Sequence, residues 1–250
     1  MSYGPRANGS VGLRAFRAGW IFSLSCKAVS HNPQGSIDFD TGPGWSRAGK
    51  GDPVHARISK VCVYCGSSFG GRAAYRDAAE TLGRHLAEAE IRLIYGGGGV
   101  GLMGALAEAV LNAGGRVTGI IPDFLDRAEV ALEGVTELIR TDTMHERKFQ
   151  MAEMADGFVV LPGGLGTLDE TFEILTWKQL RLHDKPIILV NVDGYWDHFV
   201  HLVEHQVREG FVRERYLHLF RIVEGPGEVI PALLEAASEG ITTEDRLDRI

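Results

Sequence analysis

From residue 58 onward, short apolar runs alternate with amphipathic stretches. Six apolar runs predict strands, at residues 60–64, 91–95, 116–121, 157–161, 186–191 and 220–223. The stretches that separate and follow them predict helices, at residues 75–89, 101–113, 144–155, 168–181, 196–209 and 228–239. Near-continuous apolar strands that alternate with helices are typical of a parallel sheet covered on both faces. We therefore expect an α/β fold, a single doubly wound, Rossmann-like domain over residues 58–239 with a mainly parallel sheet.

The two ends of the chain lack this pattern. Residues 1–57 carry seven basic and three acidic side chains, whereas the whole chain of 250 residues has a formal charge of −7. Gly, Ser, Pro and Asn recur there with no period of 2 or 3.6, a composition typical of flexible segments. We expect a flexible N-terminal extension over residues 1–57 and a polar C-terminal tail over residues 240–250.

Composition excludes several classes of function. The acidic net charge of −7 gives no general affinity for nucleic acid. No run of about 18 apolar residues exists, so we expect no membrane span. The three cysteines, Cys26, Cys62 and Cys65, fit a reducing compartment, and we expect a cytoplasmic protein. Cys62 and Cys65 have C-x-x-C spacing, but no second Cys or His pair completes a zinc set, so we expect buried packing and no metal.

Glycine-rich loops follow three of the predicted strands. They are residues 64–68 (YCGSS), 96–104 (GGGGVGLMG) and 162–167 (PGGLGT). In parallel α/β sheets, ligands collect beyond the carboxyl ends of the strands. Glycines let the backbone approach a ligand closely, and the helix that follows directs free N–H groups at an anion. We expect these loops to bind a phosphate, with Ser67, Gly97, Gly98 and Gly99 contributing beside the PGGLGT loop.

The second loop also supports a different interpretation. Gly99, Gly101 and Gly104 match the G-x-G-x-x-G dinucleotide fingerprint, and Asp123 follows the next predicted strand, where an acid could bind a ribose hydroxyl. This leaves an NAD-dependent oxidoreductase as an alternative. The fingerprint, however, follows the second predicted strand and leaves the PGGLGT loop unexplained.

Charged residues lie beside the loops. Thr167 and Glu170 have the spacing of a helix capping box, while Glu170 would also face the crevice of the phosphate loop. Arg147 and Lys148 open the helix just before the strand that carries PGGLGT, so they could reach the same crevice. Arginine suits two-pronged contact with a phosphate or a purine edge.

Taken together, residues 96–104, 144–148 and 162–170 resemble the LOG (Lonely Guy) family, whose signature PGGxGTxxE is matched by residues 162–170. The resemblance covers about residues 60–234. It implies a cytokinin riboside 5′-monophosphate phosphoribohydrolase, which releases a free base and ribose 5-phosphate and also accepts AMP. It implies no cofactor, a homodimer, and Arg147 and Glu170 as the catalytic pair.

The resemblance also implies the residues that bind the nucleotide: Glu129, Lys148, Gly163, Gly164, Leu165, Gly166, Thr167, Leu168, Asp169 and Thr176. A non-catalytic carrier or sensor of nucleotides with the same fold is the other alternative. A protein that only binds needs no Arg147 and Glu170 pair, so their presence favours the enzyme.

Overall fold

The computed structural model describes residues 58–125 and 131–239. The predicted extension over 1–57, the tail over 240–250 and Glu129 lie outside the described residues. Within those two ranges the strands form a seven-stranded sheet in which every strand pairing is parallel.

The strands follow one another outward from the centre of the sheet, first on one side and then on the other. They are β1 Lys60–Tyr64, β2 Arg92–Tyr95, β3 Val117–Pro122, β4 Glu137–Thr141, β5 Gly157–Val160, β6 Ile187–Val190 and β7 Arg221–Val223. Their order is β4-β3-β2-β1-β5-β6-β7. The strand order therefore reverses between β1 and β5, and in doubly wound sheets ligands bind in the crevice that opens at this place.

Helices cover both faces of the sheet. The longer ones are α1 Ala73–Glu88, α2 Gly101–Asn112, α3 Met144–Met154, α4 Leu165–Gln179, α5 Asp197–Arg208 and α6 Val229–Glu239, with 3-10 turns at Val192–Gly194, Glu214–Leu219 and Pro226–Glu228. One buried cluster joins α1, α2 and α6 to Val61 and its neighbours on one face, and a second joins α3, α4 and α5 to Cys62 on the other. Successive strand residues point to opposite faces, which is why the central strands are apolar throughout.

The predicted α/β fold is confirmed, and the six predicted strands are present with ends that shift by one residue at most. The apolar pattern does not predict β4, because this strand lies at the edge of the sheet and Glu137 and Arg140 within it are exposed. With β4 included, the PGGLGT loop follows the fifth strand and not the fourth. Helix α4 begins at Leu165, three residues before the predicted start.

Two further features concern the described residues as a set. None of their helices is both long enough and apolar enough to cross a lipid bilayer. Within residues 58–125 and 131–239, no three His, Cys, Asp or Glu side chains cluster in a way that could hold a metal ion.

A buried histidine lies between α4 and β6. Only 8% of the His183 surface is exposed, and its ring packs against Phe158 at a centroid distance of 5.3 Å. Its Nε2 lies 3.0 Å from the carbonyl oxygen of Ile174, so Nε2 carries the proton, and Nδ1 is buried with no hydrogen-bond partner. Burial lowers the pKa of His183 from 6.5 to about 4, and the charges of Lys178 and Lys185 act in the same direction.

We predict that His183 makes the fold sensitive to mild acid. Between pH 6.5 and about 4 the unfolded chain binds a proton at this residue that the folded chain does not, so the free energy of unfolding falls as pH is lowered through that window. One such group contributes up to about 1.4 kcal/mol per pH unit. Urea unfolding between pH 4.5 and 7 should show a shallower pH dependence for His183→Gln than for the unsubstituted protein.

The matched control is His198→Gln, because His198 is exposed on α5. This variant should keep the original pH dependence. Equal pH dependence of the free energy of unfolding in His183→Gln and the unsubstituted protein would contradict the assignment.

Candidate active site

A cavity of about 250 Å³ opens at the place where the strand order reverses. Segments that follow the strands contribute to its lining together with three helices, α2, α3 and α4. The lining comprises Val63, Tyr64, Cys65, Gly66, Ser67, Gly96, Met103, Leu125, Met144, Arg147, Met151, Gly164, Leu165, Gly166, Thr167, Asp169 and Glu170. All three glycine-rich loops predicted to bind a ligand therefore contribute residues to it or border it.

The amino end of α4 faces this cavity without a side-chain cap. Its N-cap is Gly164, which makes no capping side-chain bond, and the first hydrogen bond within the helix runs from Leu168 N to Gly164 O at 3.1 Å. The predicted capping box is therefore wrong, because Thr167 lies inside the first turn of the helix and cannot occupy the N-cap position. The backbone N–H groups of the first turn have no acceptor within the helix, and the first turn carries no acidic residue. Such a helix end is suited to bind an anion.

The backbone of Gly66 holds the three loops together. Its N–H donates to Pro162 O at 3.1 Å, and its carbonyl oxygen accepts from Leu102 N at 3.0 Å. The packing is so close that a Cβ on Gly101 would lie 2.3 Å from the backbone of Ser67. The loops after β1, β2 and β5 are thus fixed to one another by backbone contacts.

The same contacts argue against the dinucleotide interpretation. That interpretation needs free N–H groups at the start of α2 to bind a pyrophosphate. Leu102 N donates to Gly66 O, and Met103 N lies 3.4 Å from the same oxygen. Two of the first-turn amides of α2 therefore already have a protein acceptor. Asp123 is exposed and pairs with Arg140, with Nε and Oδ1 3.7 Å apart.

Arg147 is buried beneath the cavity, with 4% of its surface exposed. Its Nε donates to Ile120 O at 3.1 Å and its Nη2 donates to Gly96 O at 2.7 Å. These carbonyls belong to β3 and to the loop that follows β2, so the guanidinium is held against two neighbouring strands. A Cβ on Gly96 would lie 2.1 Å from Nη2, so only glycine leaves room for the guanidinium at this position.

A capping box places Arg147 on the first turn of α3. The N-cap is Thr143, whose hydroxyl oxygen accepts from Glu146 N at 3.1 Å. The Glu146 carboxylate reaches back to Asp142 N at 3.1 Å. The two bonds fix the start of α3 in the manner of a capping box, except that the carboxylate bonds the residue before the N-cap. Arg147 follows directly. Met144, Arg147 and Met151 then lie on one helix face and line the cavity together.

Glu170 lines the cavity from the second turn of α4 and is half-buried. Burial raises the pKa of the Cys65 thiol, and the charge of Glu170 raises it further. Burial also raises the pKa of Cys62. Both thiols are therefore protonated at neutral pH, and because Cys62 and Cys65 belong to the core clusters on opposite faces of the sheet, they do not form a paired site.

Lys148 joins α3 to α4 through two ion pairs. Its Nζ lies 3.0 Å from Asp169 Oδ2 and 3.1 Å from Glu173 Oε2, and only 9% of its side chain is exposed. Burial lowers the pKa of Lys148, but the two carboxylates outweigh this effect and the net pKa is raised. Lys148 thus stays charged, and its ion pairs fix the helix of Arg147 to the helix of Glu170.

The predicted site residues fall into three groups. Ser67, Arg147, Gly164, Leu165, Gly166, Thr167, Asp169 and Glu170 line the cavity. Gly163, Lys148 and Leu168 lie directly behind that lining, in contact with it or adjacent along the chain. Thr176 is exposed, six residues or about 9 Å further along α4 than Glu170, and Glu129 lies outside the described residues.

The three predicted glycines after β2 support the loop and do not line the cavity. Gly97 O accepts from Leu132 N at 3.1 Å, and Gly98 forms an antiparallel bridge with Ala131. The carbonyl oxygen of Gly99 would lie 2.3 Å from a Cβ on Gly104. These glycines permit the close packing between the strand end and α2.

Sequence reasoning missed Gly96 and the apolar wall of the cavity. The wall comprises Val63, Met103, Leu125, Met144 and Met151. The spacing of Met144, Arg147 and Met151 was a usable signal, because residues at i, i+3 and i+7 share a helix face. Nothing in the sequence distinguishes Gly96 from the three glycines that follow it.

The chain matches the protein family described as "Possible lysine decarboxylase" over residues 103–233. It is 51% identical over 168 residues to the "Probable cytokinin riboside 5'-monophosphate phosphoribohydrolase" LOGL9 of Oryza sativa subsp. japonica, which covers 67% of this chain and 74% of the relative. It is 42% identical over 195 residues to the cytokinin riboside 5'-monophosphate phosphoribohydrolase LOG5 of Arabidopsis thaliana, over 77% of this chain and 86% of that protein.

Among solved structures, the fold is similar to that of the molybdenum cofactor carrier protein from Chlamydomonas reinhardtii. The TM-score is 0.57 with 19% identity, over 72% of this chain and 98% of that one. At this identity the likeness concerns the fold alone. The sequence relatives and the matched family agree with the signature at residues 162–170 and with the geometry around it, and the chain belongs to the LOG family.

Proposed function

We propose that the protein hydrolyses the N-glycosidic bond of cytokinin riboside 5′-monophosphates, and of AMP, to release the free base and ribose 5-phosphate. One observation carries the proposal: an uncapped helix end suited to phosphate, a fixed arginine and a carboxylate line the same small cavity. The names of the sequence relatives support the choice of reaction.

The 5′-phosphate binds at the amino end of α4. The N–H groups of Leu165, Gly166 and Thr167 have no acceptor within the helix, and the positive end of the helix dipole adds to their attraction for an anion. Gly164 and Gly166 have no heavy atom within 4 Å of where a Cβ would stand, so a phosphate can approach the backbone there. Ser67 adds a hydroxyl at the rim of the same cavity.

Glu170 acts on the sugar. As the bond between C1′ and the base nitrogen breaks, its electrons pass to the base and positive charge grows on the ribose ring. A carboxylate fixed one turn below the phosphate site stabilises that charge and positions the water whose oxygen bonds to C1′. The attacking water loses one proton and the departing base nitrogen gains one, so that the base leaves neutral, and no step of the scheme requires a metal ion.

Arg147 orients the nucleotide and stabilises the departing base. Its two bonds to backbone carbonyls hold the guanidinium in place before the substrate arrives, so little reorganisation is needed during the reaction. The apolar wall with Met103, Met144 and Met151 then offers a surface for the purine and an apolar substituent on it.

We also propose that the protein is a cytoplasmic homodimer that pairs through α4. Leu165 and Phe172 on this helix and Leu180 at its C-cap are large apolar residues exposed on one side, with exposures of 85%, 37% and 60%. Thr176 is exposed on the same face. An apolar face next to a binding site is typical of surfaces that a partner covers. The proposed cytoplasmic location has a separate basis, because the unpaired thiols of Cys62 and Cys65 fit a reducing compartment.

We predict that Leu180→Glu yields a monomer, because a charge buried in an apolar interface has no partner there. Light scattering coupled to size-exclusion chromatography measures the mass directly. Leu234→Glu is the matched control, since Leu234 is also an exposed leucine, at 49%, but lies on α6. A mass unchanged by Leu180→Glu, or a monomeric unsubstituted protein, would contradict pairing through α4.

Removing either catalytic group should nearly abolish turnover. We expect Glu170→Gln and Arg147→Ala each to lower kcat/KM for AMP and for isopentenyladenosine monophosphate by about 10²–10³, the usual effect of losing one positioned electrostatic group. The assay follows release of the free base by chromatography.

Glu153→Gln serves as the control because Glu153 is an exposed carboxylate on α3, and it should retain full activity. Circular dichroism establishes whether each variant is folded. If folded Glu170→Gln kept most of its activity, Glu170 would not be the catalytic carboxylate.

Gly96→Ala should inactivate the enzyme while leaving the sheet intact. The added methyl would occupy the space of Arg147 Nη2, so the guanidinium must move away from the cavity. A displacement of about 1 Å can cost 10²-fold in rate, and we expect a loss of about that size in kcat. Gly227→Ala provides the comparison, because a Cβ there meets no atom within 4 Å. Equal kcat in the two variants would show that the close contact at Gly96 does not position Arg147.

A further inference from the structure

The connection between β6 and α5 is held rigidly by its own hydrogen bonds. Asn191 is buried, and its Oδ1 accepts from Trp196 N at 2.7 Å while its Nδ2 donates to Asp197 Oδ1 at 2.9 Å. Asp193 and Gly194 adopt positive φ values of 51° and 73°, which turn the chain sharply. The segment from Asn191 to Asp197 therefore forms a fixed bracket at the carboxyl edge of the sheet.

This bracket aims the phenol of Tyr195 at the signature loop. The Tyr195 hydroxyl donates to Gly163 O at 2.5 Å, across 32 residues of sequence. Its ring is held edge-on by two neighbours, Tyr75 at a centroid distance of 5.4 Å and Trp196 at 4.9 Å. Two neighbouring aromatic rings thus fix the donor that holds the Gly163 carbonyl.

Fixing the Gly163 carbonyl also fixes the next amide. The described peptide bonds are all trans, and in a trans peptide the C=O and the N–H point in opposite directions. The carbonyl of Gly163 points at Tyr195, so the N–H of Gly164 points away from it. Gly164 lines the cavity and Tyr195 does not. The hydrogen bond from Tyr195 therefore orients the N–H of Gly164, a residue of the cavity lining, although Tyr195 itself does not line the cavity.

We infer that Tyr195 is a positioning residue for the phosphate end of the site. It does not line the cavity, and it acts by orienting the Gly163–Gly164 peptide at the start of α4. The inference rests on the proposed function only in that the cavity binds a 5′-phosphate.

The test compares Tyr195→Phe with the unsubstituted protein by isothermal titration of two probes. Loss of the hydroxyl leaves the Gly163 carbonyl without this donor and lets the peptide turn. We expect the Kd for ribose 5-phosphate to rise about three- to tenfold, the usual range for one hydrogen bond. Binding of adenine, which has no phosphate, should be unchanged. In the hydrolysis assay KM for AMP should rise by the same factor with kcat within about twofold, because the lost contact serves binding.

Tyr75→Phe is the matched control, since Tyr75 belongs to the same aromatic cluster but does not donate to Gly163. It should bind both probes like the unsubstituted protein. Gly194→Ala provides a second route, because its methyl would clash with Asp197 Oδ2, 2.7 Å away, and disturb the bracket. It should weaken ribose 5-phosphate binding and spare adenine.

Three results would count against a positioning role for Tyr195. An unchanged Kd for ribose 5-phosphate in Tyr195→Phe would overturn it, and so would an equal loss of affinity for adenine. A Tyr195→Phe protein that melts far below Tyr75→Phe would make Tyr195 a structural residue instead. A different result would contradict the proposed function: an unsubstituted protein that binds ribose 5-phosphate but releases no base from AMP.

Discussion

The backbone of Gly66 connects three loops of the candidate site. Its N–H donates to Pro162 O and its carbonyl accepts from Leu102 N, so one residue after β1 fixes the loops after β5 and β2. The same bonds determine which helix has free backbone N–H groups at its amino end. The first amides of α2 are directed at Gly66 O, whereas those of α4 face the cavity with no acceptor in their helix. The bonds of Gly66 therefore engage the glycine-rich loop after β2 in packing and leave the loop after β5 as the proposed ligand-binding loop.

Electrostatics favour the backbone of α4 over charged side chains as the proposed phosphate site. Around the cavity, Lys148 is neutralised by Asp169 and Glu173. Arg147 directs two of its donors at the carbonyls of Ile120 and Gly96. The amino end of α4 has no acid in its first turn and supplies partial positive charge without a mobile side chain. In the proposed reaction these fixed groups hold the two ends of the substrate, and the half-buried Glu170 acts on the charge that develops during bond cleavage.

Much of this architecture could be predicted from the sequence, because local patterns determine it. Buried parallel strands are apolar throughout, which predicted the six strands at residues 60–64 through 220–223 within one residue. Glycine loops after strands predicted where the cavity lies, and the place of Arg147 just before the strand that carries PGGLGT predicted that it would reach the same crevice, whose cavity it lines. The edge strand β4 escaped prediction because its exposed Glu137 and Arg140 interrupt the apolar run. The sequence also did not predict Gly164 as the N-cap of α4, because Thr167 and Glu170 have the spacing of a capping box that the helix does not use.

Long-range contacts account for the rest. The room that Gly96 leaves for Arg147 joins residues 51 positions apart, and the bond from Tyr195 to Gly163 joins residues 32 apart. No local pattern encodes such pairs, since they depend on how the strand ends meet in three dimensions. The resemblance of the signature added the reaction, which neither glycines nor helix ends specify.

In the proposed reaction, the protein cleaves a nucleotide between base and sugar in this cavity. The most direct test incubates the purified protein with AMP and with isopentenyladenosine monophosphate and quantifies both products. We predict free base and ribose 5-phosphate in equal amounts, over many turnovers for each enzyme molecule. Nucleotide that binds and is recovered intact would contradict the claim and would indicate a carrier or sensor with the same fold.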